Sequence, residues 1–200
     1  MTGSSPALQP VRTDEGVLVH PAADRRLAME HWLLSTRPDP RQARLEWAEH
    51  GAALLPLGTL FSAVRIPAAL VQALVGSTER ETLDAFLGEA LDGPVIADPR
   101  FETYHALVPA SVPVTWRGAA DDWRTQDVEV LGRGTYLGVP RLASNRFRSY
   151  EAGLYWAVPM SSPAMLCAPL TVARLIAAGA HRLAELEAQA EREVSSAERS

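Results

Sequence analysis

The sequence predicts an α+β (or α/β) domain, with a small mixed or antiparallel sheet of about five to six strands, flanking helices and a long C-terminal helix. Three observations predict it. Short apolar runs bounded by glycine or proline recur through the middle of the chain, as half-buried or buried strands require. Between them lie longer segments with apolar residues at helical spacing, opened by capping residues. The length of 200 residues, with 47% hydrophobic and 22% charged, suits one globular core and is short for two.

Residues 1–21 mix Ser, Pro, Gly and charge without periodicity and are expected to be a mobile lead-in. Leu27, Met29, Trp32, Leu33 and Leu34 predict a helix over about 22–34. A second is predicted over 40–49, with Asp39 as N-cap, Pro40 in the first position and Gly51 beyond the end. Residues 52–58 and 60–66 read as strands. Pro67 opens a helix to about Val75, and Ser77 or Thr78 caps another over 79–91, with Glu81 completing a capping box.

Strands follow at 94–97 and 101–108, and then a Trp-, Pro- and Asp-containing connection at 109–126. Val128–Leu131 and Thr135–Val139 are expected to pair across Gly132-Arg133-Gly134, and 153–158 is a further strand. The helix over about 170–194 carries Leu170, Val172, Leu175, Ile176, Leu183 and Leu186 near one stripe. The expected organisation is a lead-in (1–21), a domain (22–169) and a C-terminal helix with a frayed tail (170–200).

The net charge of −5 does not by itself mark a nucleic-acid binder. All nineteen basic residues are arginine, as codon bias in a high-GC bacterial genome would produce. Every positive charge is therefore a planar fork matched to phosphate. The single cysteine, Cys167, excludes an internal disulfide and a multi-cysteine metal site. No apolar stretch reaches the length of roughly 18–20 residues needed to span a bilayer. A cytoplasmic location without membrane contact is expected. The histidines at 20, 31, 50, 105 and 181 lack close metal-ligand spacing, and no GxSxG, Walker A or dinucleotide fingerprint occurs.

Residues 127–140, Asp-Val-Glu-Val-Leu-Gly-Arg-Gly-Thr-Tyr-Leu-Gly-Val-Pro, are the most informative stretch. Glu129 projects from the first short strand, and the two glycines permit φ > 0 or close approach of a phosphate to the backbone. This run resembles the third motif of bifunctional DNA primase/polymerase domains of the archaeo-eukaryotic primase superfamily. The element order over roughly 40–160 is similar too: Trp47-Ala-Glu-His-Gly51, then the proline-bearing strand Ala52–Leu57, and later Tyr155-Trp156 after Pro140.

The resemblance implies that His105, in Thr103-Tyr-His-Ala-Leu107, is a phosphate contact, and that Glu129 is the third-motif carboxylate. The family's paired, metal-binding aspartates fall on Arg65 and Pro67. Two-metal nucleotidyl transfer needs closely placed carboxylates around hard Mg²⁺ ions. A guanidinium and a proline cannot supply them, and Asp121 and Asp122 lie where no spacing argument brings them in.

The expectation is therefore a degenerate, non-catalytic relative with no cofactor, Mg²⁺ entering only if an active site exists. Arg65, His105 and Arg133 are its candidate nucleotide or phosphate contacts. For His105 the bland alternative is a hydrogen-bonded core histidine; for Glu129, an edge or solvent-facing strand residue, alone or paired with an arginine; for Arg65, a surface ion pair. Arg141, Arg146, Phe147 and Arg148 form a candidate contact for single-stranded nucleic acid, because arginine forks match phosphates and aromatic rings stack on bases. The alternative there is a solvated basic loop. A protein partner docking on the C-terminal helix is the second functional expectation, and an active primase/polymerase the third.

Overall fold

The computed structural model describes residues 11–12, 18–19, 22–147 and 153–197. In chain order the elements are β1 (Val11–Arg12), β2 (Leu18–Val19), α1 (Ala22–Leu34), α2 (Pro40–His50), β3 (Ala52–Pro56), β4 (Phe61–Pro67), α3 (Ala68–Val75), α4 (Arg80–Leu91), β5 (Val95–Asp98) and β6 (Thr103–Pro109). Then come α5 (Val112–Thr115), α6 (Arg117–Trp123), a 3-10 turn at Arg124–Gln126, β7 (Glu129–Leu131), β8 (Tyr136–Pro140), β9 (Tyr155–Val158) and α7 (Pro169–Ala197). The predicted α+β class is the observed one. β1 and β2 pair antiparallel, a short ladder inside the segment expected to lack structure.

The main sheet has five antiparallel strands in the order β7-β4-β6-β5-β9. β4 and β6 pair over seven residues, Phe61 opposite Pro109 through to Pro67 opposite Thr103. Both are buried along nearly their whole length, so layers pack on the two sheet faces. One face carries Val64, Ile66, Val95, Ala97, Tyr104, Ala106 and Val108, covered by α3, α4 and α7. The other carries Phe61, Ala63, Ile96, Leu107 and Trp156. It lies under α1, α2 and a separate two-stranded ribbon in which β3 pairs with β8.

The helix starts follow the sequence signals unevenly. Asp39 caps α2 by accepting from the backbone N–H groups of Arg41 and Gln42, and Gly51 ends the helix at φ 75°. The Thr78/Glu81 capping box of α4 does not form. Glu79 is the cap position, its N–H donates to Ser77 Oγ, and its carboxylate accepts from Thr82 Oγ1 instead. Two further contacts tie α2 to the ribbon. Trp47 Nε1 donates to the Val139 carbonyl at 2.8 Å. Glu46 accepts from Leu54 N–H and from Arg37, whose guanidinium also reaches the Leu54 carbonyl, so the free edge of β3 is occupied.

The expected hairpin across Gly132-Arg133-Gly134 is absent. β7 pairs with β4 and β8 pairs with β3, so the turn passes the chain from one sheet to the other. Gly134 takes φ 88°, while Gly132 is needed for closeness: a Cβ there would stand 2.6 Å from the Pro113 ring. The connection read as irregular at 109–126 instead holds α5 and α6, which bury Val112 and Trp123.

α7 is not an appendage. Val172, Leu175 and Ile176 are buried, and Gly179 packs so closely on α3 that a Cβ would lie 2.9 Å from the Leu70 carbonyl oxygen. Just before it, buried Cys167 donates its N–H to the Leu107 carbonyl at 2.8 Å and directs its thiol toward the Pro94 carbonyl at 3.5 Å. The helix continues past the predicted end to Ala197, and Leu186 and Val194 on its distal half are exposed. Among the described residues, no helix is long and apolar enough to cross a membrane.

This division predicts two different outcomes. Ile176→Ala, at 1% exposure, should lower the free energy of unfolding by about 2–5 kcal/mol in urea denaturation. Leu186→Ala should change it by no more than about 0.5 kcal/mol, and comparable losses would show that the distal half is packed.

Candidate functional site

Cross-strand register places the three distant candidates side by side. Arg65 on β4 stands opposite Glu129 on β7 and, on its other flank, opposite His105 on β6. His105 is opposite Ile96, and Ile96 opposite Trp156. Directly opposed residues share a face with Cβ atoms about 4.5–5.5 Å apart, so Glu129, Arg65, His105, Ile96 and Trp156 form one row across five strands. The row marks the border of the ribbon-side core. The next residues on that face in one direction are Ala63 and Leu107, both fully buried; in the other they are Pro67, Thr103 and Asp98.

Arg65 Nε donates to Glu129 Oε2 at 3.1 Å, and the side chains are 32% and 53% exposed. An exposed pair of this kind contributes at most about 1 kcal/mol. Only Nε of the guanidinium is engaged among the described residues, leaving both terminal nitrogens able to meet a pair of anionic oxygens.

His105 is 8% exposed, and its Nδ1 is buried without a hydrogen-bond partner among the described residues. Burial drives its pKa from 6.5 down to about 4, against the pull of Asp98 and with help from the Arg65 charge. The imidazole is neutral at pH 7 and can share one hydrogen bond without bringing a charge. Trp156 Nε1, in the same row, is likewise buried without a partner among the described residues. Unsatisfied polar atoms in a core are uncommon.

The donor set does not fit a divalent metal. Arg65 and Pro67 on β4 bring no carboxylate to the row, and Glu129 is held by a guanidinium. Among the described residues no three His, Cys, Asp or Glu side chains are grouped to hold an ion. Asp121 and Asp122 lie on α6, where Asp121 pairs with Arg124 at 3.4 Å.

Arg133 does not join the row. It sits at the far end of β7, four residues from Glu129, with its backbone against Gly58. Arg141 and Arg146 come together on a different feature, a cleft of about 500 Å³ beside the start of β9. Arg26, His50, Ser144 and Asn145 also line it, and nothing in the local sequence pattern signals their approach. The Arg65 row does not line this cleft. Phe147 is half-buried, with its ring 5.9 Å from Tyr155 and the Arg80 guanidinium 4.5 Å from its centre. The Arg80 guanidinium thus covers one ring face while Tyr155 packs beside it at a tilt. Arg148 lies outside the described residues.

A second polar centre escapes sequence reasoning altogether. Tyr155 donates its hydroxyl to both Asp84 oxygens, at 3.2 and 3.0 Å, joining β9 to α4. Burial raises the Asp84 pKa from 3.8 to about 6, with the tyrosine hydrogen bond opposing.

The two perturbed groups act oppositely on stability. His105 has a lowered folded pKa, so its contribution is complete above pH 6.5 and is lost as pH falls toward 4. Asp84 has a raised folded pKa, so its contribution is complete below about pH 3.8 and is lost as pH rises through 6. Relative to the parent chain, His105→Gln should therefore gain stability between pH 7 and pH 4, and Asp84→Asn should lose it. Denaturant titrations at pH 7, 5 and 4 check this; parallel pH profiles for all three proteins would refute it. Compared with known proteins, the chain matches no family model, no curated protein and no solved structure.

Proposed function

We propose that this chain is a primase/polymerase-like domain that binds nucleotide or single-stranded nucleic acid without polymerising it. The observation that carries the reading is the in-register row of Glu129, Arg65 and His105 on adjacent antiparallel strands. These are the positions that the family resemblance assigns to phosphate and metal contacts. A guanidinium there supplies the positive charge that a metal supplies in a working polymerase, and the neutral imidazole beside it adds a directional hydrogen bond. Arginine can neutralise phosphate, but it cannot activate a 3′-hydroxyl, so binding is compatible with this row while two-metal transfer is not.

A second reading is favoured by the distal half of α7, where Leu186 and Val194 are exposed along a helix that outruns its own core. There the same scaffold serves as an interaction module, with a protein partner on that helix.

The readings separate by experiment. Nucleoside triphosphates, with and without Mg²⁺, and single-stranded DNA at low salt should each raise the melting temperature, because ligand that binds only the folded state stabilises it. Arg65→Ala should weaken that binding by about ten- to a hundredfold, the range for a lost charge-assisted hydrogen bond. A flat response to every ligand would favour the interaction module, and primer extension above background would overturn the non-catalytic assignment.

A further inference from the structure

The cleft beside β9 brings together charges from parts of the chain far apart in sequence. Arg26 comes from α1, His50 from the end of α2, and Arg141 and Arg146 from the segment after β8, with Ser144 and Asn145 between them. None of the three arginines has a partner among the described residues, whereas Arg37, Arg44, Arg65 and Arg182 are paired with carboxylates. One carboxylate, Glu49, also lines the cleft, 3.7 Å from His50 Nε2. In a chain of net charge −5, three unneutralised guanidiniums around one hollow are an arrangement that an anion would relieve.

The walls are fixed. Arg141 N–H donates to the Gly51 carbonyl at 3.0 Å, anchoring the segment to the end of α2. Ser144 N–H closes a turn on the Arg141 carbonyl at 2.9 Å, and the Ser144 carbonyl accepts from Trp156 N–H at 2.7 Å, anchoring the turn to β9. On the ribbon side, Gly138 lies so near Leu154 that a Cβ would be 2.6 Å from its side chain. With this backbone anchored, binding has only the exposed arginine side chains to order.

We propose that this cleft is a binding site for a small molecule bearing a pyrophosphate group. Its volume of about 500 Å³ exceeds what one phosphate fills and lies within the usual range of small-ligand sites. Three planar forks match the oxygens of two linked phosphates, each fork taking an oxygen pair, with the Ser144 hydroxyl and the Asn145 amide as neutral donors. Among the described residues the rings at the hollow are buried Tyr155 and the single imidazole of His50, against three guanidiniums, so recognition rests on the phosphates more than on the base. The inference goes beyond the nucleotide-binding reading, because it assigns a second phosphate-binding surface that is separate from the Arg65 row.

The test is calorimetric titration of the full chain with inorganic pyrophosphate, then with ADP, GDP and AMP. Pyrophosphate, ADP and GDP should bind with affinities within about threefold of one another, AMP at least tenfold more weakly, and all progressively less well as salt rises. Free pyrophosphate binding as well as the two diphosphates assigns recognition to the anion alone. Diphosphate nucleotides binding while pyrophosphate does not would overturn recognition through the phosphates. Arg26→Ala with Arg141→Ala should reduce pyrophosphate affinity by more than tenfold. Arg141→Lys, which keeps the charge and the fold but loses the fork, should reduce it severalfold, and Arg192→Ala on distal α7 should leave it unchanged. No pyrophosphate binding, or binding that the cleft variants leave intact, overturns the inference. If nucleotides still bind and only Arg65→Ala abolishes it, the inference fails while the nucleotide-binding reading stands. If no phosphate ligand binds at all, both fail.

Discussion

The structure depends first on the pairing of β4 with β6. Its seven consecutive residue pairs are buried except at Arg65, Pro67 and Pro109, so this ladder fixes which side chains meet each layer. Slipping it by one residue would send Val64, Ile66, Ala106 and Val108 to the ribbon side and expose the helices to polar groups. The same ladder puts Arg65 beside His105, and β7 then adds Glu129 by pairing in turn with β4. Fold specification and site assembly are one constraint here. The polar row is held by the strands that organise the core.

Where local chemistry decided the structure, the sequence revealed it. The Asp39 cap and the Gly51 stop of α2 rest on interactions within a few residues. Where distant partners decided, local signals misled. Val-Glu-Val-Leu and Thr-Tyr-Leu-Gly-Val flanking a Gly-x-Gly turn have the form of a hairpin, yet β4 and β3 offer each strand a longer apolar partner in a different layer. Tertiary pairing overrode the short-range pattern. The 109–126 segment reads as a connection because its two prolines and paired aspartates interrupt any helical stripe, while burial of Val112 and Trp123 is what holds its two short helices.

The candidate site was legible in the same uneven way. Arg65, His105 and Glu129 could be selected from motif positions, and strand register brought them together. The cleft was only half visible. Arg141 and Arg146 stood out as a basic cluster, but Arg26 lies over a hundred residues earlier and reaches the same hollow only because α1 and α2 pack against the ribbon. The Asp84–Tyr155 contact likewise joins residues that no spacing rule connects. A protein whose cations are all arginine gives little advance sign of which ones gather, since each looks alike along the chain.

Cys167 lies at the seam between β6 and the start of α7, with no exposed surface. Burial pushes its thiol pKa up to about 12, so almost no thiolate exists in the folded state at neutral pH. Alkylating reagents must wait for the seam to part. Because this is the sole sulfhydryl in the chain, its labelling rate is an intrinsic clock for how often that seam opens, without any probe having to be introduced.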